Sequence, residues 1–543
     1  MSSTFHGLEV ARRALNTQQS ALHTTGNNIA NASTPGYSRQ RVNMTQTSAL
    51  SIGGMNQSIT AGQIGTGVQA GSIQRIRESF LDDQFRNETT KLGYWDAKRT
   101  SLSQMEDVLN EPSSNGLSAV MGEFWQSLQD LSANPENTGA RGVVLERGQS
   151  VADTFHYLSD SLTKIQQDIG KEISLGVQGV NSLLEQISQL NSQIKSVEPR
   201  GYLPNDLYDK RDALVDELSL MMDVKVTKTP AGGNSSSQAE GIYTISMLGG
   251  DGKEYALVNG DRFNKLGFAG PDEKLSVNTP TPITSIQFFN SSGSPLTTSV
   301  PIANESGKVT FSQGKLLGMI ESYGYSYTNS GGNEVNKGMY PDMLNDLDKL
   351  AFTFASVFNE VHEKGYDLNG ESGKPVFILN GSTSQGAAKA IRLADLDTQD
   401  IAVSMTVTQN GTVHAGNGQN ALNLANIPSM LLSNGVISLQ GTADTIDLSS
   451  YGLGQNGSLN SFYEGMIGRL GVNAMQANRM TQNSLLLSQS VDEKRMSVSA
   501  VSLDEEMTNM MQFQHAYNAA ARNITMVDEM LDRIINGMGL VGR

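Results

Sequence analysis

Leu503, Met510, Tyr517, Ile524, Leu531 and Met538 stand seven residues apart, and Phe513, Ala520, Val527 and Ile534 follow three residues after successive members. That is the spacing of a helix that buries one narrow seam against another helix. A helix over this span would run about 54 Å at ~1.5 Å per residue, far beyond three or four turns, so its seam needs a cover. At the other end Leu8, Leu15, Leu22 and Ile29 also recur every seven residues, with Ala11 on the same side, and predict an amphipathic helix from Phe5 to about Asn31. Its stripe is thin. Asn, Gln, Ser and Thr flank it, and Gly26, Asn27 and Asn28 sit near its end, so this helix has little intrinsic stability. The two ends are expected to pair.

Between them, Pro35-Gly36 carries the residues that a type II turn favours at its centre, with Thr34 and Tyr37 on either side. Residues 41–76 read as short strands and turns. Helical spacing resumes at Leu81, Phe85, Leu92, Trp95, Leu102 and Leu109, and again from Val151 through Leu158, Ile169, Val180 and Ile187 to Ile194, closed by Pro199. A further helix covers about 207–222. After Val224 the pattern changes to alternating strands, IYTISM (242–247) and ITSIQFF (283–289), set between GGDG and NSSGS turns. Helix returns at 315–321 and 343–362, where Leu344, Leu347, Ala351, Phe354 and Phe358 line one face, and again from near Leu459 toward Met496.

The fold class expected is therefore α+β and multidomain: a long helical coiled-coil frame built from both chain ends, with β-rich inserted domains. Residues 1–43 with 499–543 form the terminal coiled-coil unit, and 44–223 with 313–366 and 456–498 a mainly helical domain. Residues 224–312 form a β-rich insert. Residues 367–455 are rich in strands and loops and either join the helical domain or make a further small one.

Composition narrows the function. The chain has 543 residues, enough for several compact domains, and its 6% aromatic content with 55 glycines describes a polar, loop-rich protein. A formal charge of −16 with no basic cluster disfavours nucleic acid and anionic membrane surfaces as partners. No cysteine is present, which excludes disulfides, thiolate nucleophiles and Cys-ligated zinc. No apolar run reaches the ~20 residues that span a bilayer, and MSSTFHGLEVARR lacks the order of a Sec signal, so export would need another machine.

Catalytic and metal sites find little support. His6, His23, His156, His362, His414 and His515 each lack a histidine three or four residues away, so no metal site is expected. GQIGTGVQAG (62–71) reads as a string of turns rather than a phosphate loop, because no Lys-Ser/Thr helix start follows it. In DLNGESGKP (367–375) no glycine falls at the sixth place that a calcium loop requires and no closing glutamate follows. Asp504, Glu505 and Glu506 suit the first turn of a helix, facing its dipole. No G-x-S-x-G supplies a nucleophile, and neither enzyme activity nor a cofactor is expected. The ends differ in sign, with Arg12, Arg13, Arg39 and Arg41 outweighing Glu9 at the first and acids outweighing arginines at the last, which favours their pairing.

NNIANASTPGYSRQRV (27–42) resembles the N-terminal signature shared by flagellar rod, hook and hook-associated proteins. Its GYSRQ ending is similar to the family of the first hook-associated protein, found at the hook–filament junction. LPNDLYDKRDALVDEL (203–218), GKLLGMIES (314–322), LDKLAFTFASVFNEVHEKGYDLNG (347–370) and SLDEEMTNMMQFQHAYNAAARNITMVDEMLDRIING (502–537) agree with it. The resemblance covers both ends and the helical frame, and leaves 224–312 and most of 375–455 unmatched.

That resemblance implies an extracellular structural protein of the flagellum, exported through the flagellar type III channel. It would assemble with itself into a ring-like layer and join hook protein to a second junction protein or to the flagellin filament. Its terminal segments would be disordered before assembly, and a dedicated export chaperone would cover the C-terminal helix. The residues expected at the interface are Leu8, Leu15, Leu22, Ile29, Leu503, Met510, Phe513, Tyr517, Ile524, Val527, Leu531 and Ile534, with Asn27, Asn28, Asn31, Pro35, Gly36 and Tyr37 as the signature turn. A hook or distal-rod subunit shares the NNIAN motif, and a surface adhesin or enzyme carried on an axial scaffold is the alternative from another class.

Overall fold

The computed structural model describes residues 5–48, 65–268 apart from 112 and 114–115, 280–407 apart from 382, 416–429, the short pieces 432–433, 436–439 and 445–447, and 456–537. The phosphate-loop candidate at 62–71, the histidine at 414 and the heptad position at 538 thus fall partly or wholly outside the described residues.

Helix α1 (Phe5–Ala30) leads through a turn into a hairpin of β1 (Gln40–Gln46) and β2 (Val68–Arg75). Gly36 has φ +79° and the Tyr37 amide donates to the Thr34 carbonyl at 3.2 Å, the closure that a Pro-Gly turn makes. Residues 68–71 of the Gly-rich run lie in β2, so that part is strand rather than turn.

The body follows as α2 (Ser79–Leu109), α3 (Leu117–Ala133), α4 (Thr138–Val197) and α5 (Asn205–Met221). α4 is its spine. It begins thirteen residues before Val151, where the periodic run starts, because the Asn137 side chain accepts the Gly139 and Ala140 amides and caps the helix there. Val151, Phe155, Leu158, Leu162, Ile169, Ile173, Val180, Leu184 and Ile187 are all buried along it. α3 stands in a stretch that sequence periodicity passes over, and delivers Phe124 and Trp125 to the core.

The β-rich segment forms two antiparallel sheets, β3 (Val224–Thr229), β4 (Ile242–Leu248), β5 (Glu254–Asn259) and β6 (Arg262–Phe263) in one, and β7 (Lys265–Phe268), β8 (Ser285–Phe289) and β9 (Pro295–Pro301) in the other. Both lean on α4. Asn191 bonds the Tyr243 backbone in both directions, Asn181 does the same for Leu266, and one continuous apolar core runs from the helices into the sheets.

α6 (Lys315–Tyr323), the hairpin β10 (Tyr325–Thr328) and β11 (Glu334–Lys337), and α7 (Met339–Glu363) complete that core, where Phe354, Phe358, Phe377, Phe124 and Trp125 pack ring against ring at 4.9–6.3 Å. Four loops share one form, headed by Asn290, Asn304, Asn329 and Asp367, each with a glycine three places on at φ between +77° and +87°. At Asp367 the carboxylate accepts the Asn369 and Glu371 amides and is used by the turn. After the short helices α8 (Ala387–Ala390) and α9 (Gln419–Asn426), α10 (Leu459–Ser499) packs along α2, and α11 (Leu503–Gly537) ends the described chain.

Candidate functional site: the terminal helix pair and its joint

α1 and α11 lie against each other in opposite directions. A Cβ placed on Gly7 would meet Val527 at 3.7 Å, while at the other end the Asn28 side chain donates to Glu506 at 3.1 Å. Both intervals are 21 residues, so one antiparallel register holds over about six turns, or ~31 Å. It sets Phe513 at the level of Ala21, and both line one cleft of about 330 Å³. Large side chains on α11 meet small ones on α1.

Hence the buried face of α1 is Ala11, Thr17, Ala21, Thr24, Thr25 and Asn28, while Leu8, Leu15, Leu22 and Ile29 flank it half-buried. On α11, Met510, Phe513, Tyr517, Ile524, Val527 and Leu531 are half-buried along the seam and Ala520 is buried. Leu503 and Ile534 are exposed, at 50% and 44%, because this register carries each of them past an end of α1. A second apolar face remains open on α11. Met507, Met511, Met526 and Met530 are each more than half exposed on the side away from α1, whereas Ile535, in line with Tyr517, is exposed beyond the end of α1 like Ile534, so the pair leaves a row of apolar side chains on this helix uncovered.

The signature turn is a hydrogen-bonded knot. Asn28 is 1% exposed and uses its whole amide: Nδ2 donates to the Gln40 carbonyl and to Glu506, and Oδ1 accepts the Tyr37 hydroxyl at 2.8 Å and the Gln40 amide at 3.0 Å. Asn31 donates to Asn27, and Thr34 to Asn31. Pro35 and Gly36 form the exposed tip of the turn. Burial, with the nearby charges of Asp209 and Glu506, pushes the Tyr37 phenol up to about 12, so it stays a donor.

Arg39 then reaches across to α11, its Nε 2.7 Å from Glu506 and a terminal nitrogen 2.8 Å from Glu505. Glu506 is 2% exposed, which corrects its assignment as a helix-dipole acid: it is a buried partner of Asn28 and Arg39. The polar contacts at this end come from residues more than 460 positions apart, a separation that leaves no periodic trace.

Beneath the hairpin lies a charged cluster. Arg75 meets Asp209 at 2.6 Å, Asp212 at 3.0 Å and also Glu240; Arg77 meets Asp82 at 2.7 Å and Asp212 at 3.3 Å. Arg86 from α2 and Arg495 from α10 close on Asp216 at 2.8 and 2.6 Å. Burial opposes charge at Asp212, but Arg77, Arg75 and Arg86 outweigh it and hold this carboxyl well below the usual range. Motif LPNDLYDKRDALVDEL supplies Asp209, Asp212 and Asp216 from α5, so both the N-terminal signature and this motif are parts of one joint.

Among the described residues no group of three or more His, Asp or Glu side chains is arranged to hold a metal, and no helix is long and apolar enough to cross a membrane.

Comparison with known proteins agrees with this architecture. Residues 102–377 match the helical-domain family of the flagellar hook-associated protein FlgK. Residues 8–37 match the flagella basal body rod protein family, and 492–537 the C-terminal family of the flagellar basal body rod FlgEFG proteins. The chain is 44% identical to flagellar hook-associated protein 1 of Bacillus subtilis, with both chains covered in full. It is 26% identical to the protein of that name in Escherichia coli, covering 97% of this chain and 98% of the other. In fold it is similar to the flagellar hook junction protein FlgK of Burkholderia pseudomallei, with a TM-score of 0.56 at 15% identity over 77% of this chain and all of that one.

Proposed function

Since the chain belongs to the flagellar hook-associated protein 1 family, we propose that it is an adaptor subunit that joins hook to filament and assembles with copies of itself through α1 and α11. The observation that carries this reading is the two-sided apolar character of α11. One side lies on α1, and the other, with Met507, Met511, Met526 and Met530, is open in a single chain. Neighbouring subunits in a ring-like layer would cover it, at a gain of about 25 cal/mol per Å² of apolar surface removed from water.

Hook protein on one side, and a second junction protein or flagellin on the other, are the partners this reading names. Before export a dedicated chaperone would cover the C-terminal helix, and passage through the flagellar type III channel would then carry the protein outside the cell. A hook or rod subunit is disfavoured, because the rod families match only the two ends whereas the hook-associated helical-domain family matches 102–377. We take 1–43 with 499–543 as the assembly unit, the helical segments between as the body, and 224–312 and 367–455 as the outward parts.

Electron microscopy tests the assignment. Cells lacking the protein are expected to carry hooks without filaments and to shed flagellin into the medium. Filaments still attached to those hooks would refute it.

A further inference from the structure

Hairpin β1–β2 has no core of its own. None of its apolar strand residues is buried, and a lone two-stranded ribbon is at best marginal in water. α1 lies along it, yet α1 is itself the less stable of the terminal helices. What the hairpin does have is a charged root: Arg75 at the end of β2, with Arg77 two residues on, places a guanidinium that is 2% exposed among carboxylates of α5.

Asp212 is the centre of that root. One of its oxygens meets Arg75 at 3.0 Å and Arg77 at 3.3 Å; the other accepts the Tyr243 hydroxyl from β4 at 2.8 Å and lies 3.7 Å from Arg86 of α2. A single side chain thus touches the hairpin, two body helices including its own, and the first β sheet. Arginines 75, 77, 86, 211 and 495 face aspartates 82, 209, 212 and 216 and Glu240, with the more exposed Lys228, Asp83 and Asp492 at the rim, so removing a charge from the buried centre leaves its partners there uncompensated.

We propose that this cluster is a lock that seats hairpin β1–β2 on the body, so that the direction in which the terminal helix pair leaves the body is set by charge pairing around Asp212. The lock does not require α1 and α11 to be paired. A free chain would therefore already hold the seat on which α1 docks, and the angle between inner helices and body would be fixed before a neighbour arrives. Rigid angular coupling follows from the cluster's chemistry, because buried guanidinium–carboxylate pairs are directional and have no water to exchange with.

The free monomer can be tested directly. The chain has no cysteine, so Gln69→Cys on the hairpin and Gln178→Cys on α4, both exposed, take spin labels at those two places alone. One narrow distance distribution is expected. Asp212→Asn should broaden it about twofold and speed amide exchange over 40–46 and 68–75 by about tenfold, with exchange in the middle of α4 unchanged.

Unchanged width and protection in Asp212→Asn would overturn the lock, as would a broad distribution in the parent. Should Asp212→Asn lose the cooperative melt of the body, Glu240→Gln at the rim of the cluster takes its place, with about threefold faster hairpin exchange expected and no change counting against the lock. Lys225→Gln, which breaks the exposed pair with Glu254, is the control. Equal broadening there would assign the effect to general loosening and remove the lock. None of these readouts involves attachment of filaments, so this inference and the junction assignment fail separately.

Discussion

α4 and α11 both carry apolar side chains at helical spacing over many turns, and they meet opposite fates. Along α4 the row from Val151 to Ile194 lies under α3, α6, α7 and the sheets, and most of its members are less than 5% exposed. Along α11 no apolar seam residue except Ala520 is buried, and four methionines stand more than half exposed on the other side. Periodicity shows that a helix will bury a face; it does not say whether the cover comes from the same chain. The body closes its core within one molecule, whereas the terminal pair leaves apolar area open within the chain, the area that the proposed assembly gives to neighbours.

The sharpest way to break that contrast is to damage the body. Phe354 is fully buried with its ring centroid 4.9–6.3 Å from those of Phe377, Trp125, Phe124 and Phe358, so Phe354→Ala should cost the monomer about 3–5 kcal/mol. A urea titration followed by circular dichroism checks this. A loss below 1 kcal/mol would mean that the body, too, depends on outside contacts.

Acid should separate the two regions next. His362 is fully buried, its Nδ1 2.7 Å from the Lys374 carbonyl while Nε2 accepts the Ala402 amide at 2.8 Å. Protonation would aim a second N–H at that amide. Burial, aided by the Arg141 charge, lowers this imidazole from 6.5 to about 4. The unfolded chain therefore takes up the proton first, so this stability is present above pH 6.5 and lost as pH falls toward 4. Between pH 6.5 and 5 the body should lose about 2 kcal/mol, and in His362→Gln, measured by the same titration, that slope should flatten.

How far the sequence could anticipate this depended on what kind of contact holds each part. The seam of α11 was legible because Met510, Phe513, Tyr517, Ile524 and Val527 repeat in an unbroken heptad, and the rows on α4 and α7 were legible for the same reason. The buried face of α1 was not. It is made of Ala, Thr and Asn, whose small or polar side chains give no hydrophobic signal, and the leucines that do give one sit beside the contact. Glu506, Asn28 and Arg39 make a buried polar joint that hydropathy reads as solvent-facing, and Asp212 looks like any acid on a helix until β2 and β4 are folded onto it. The family resemblance had already marked both stretches, NNIANASTPGYSRQ and LPNDLYDKRDALVDEL, but only the structure supplies the reason, since their polar residues converge on one joint.

The smallest effect on stability should come from the residue with the largest expected effect on assembly. Ile524 is half-buried on α11, facing α1, and α11 packs on α1 rather than on the helices of the body. Ile524→Asp puts a charge into an apolar seam, so the terminal pair should open. Melting of the body should stay within about 0.5 kcal/mol of the parent, as for changes far from a core. Incorporation at the junction should be abolished, scored by filament attachment in a strain that carries only this variant. Met526→Asp, on the open face of the same helix, sharpens the reading. It should leave α1 paired with α11, read as unchanged helical content, and still block incorporation, because it strikes the surface left for the neighbour. Normal filaments with Met526→Asp would place the neighbour's contact elsewhere, and normal filaments with Ile524→Asp would remove the terminal pair from assembly altogether.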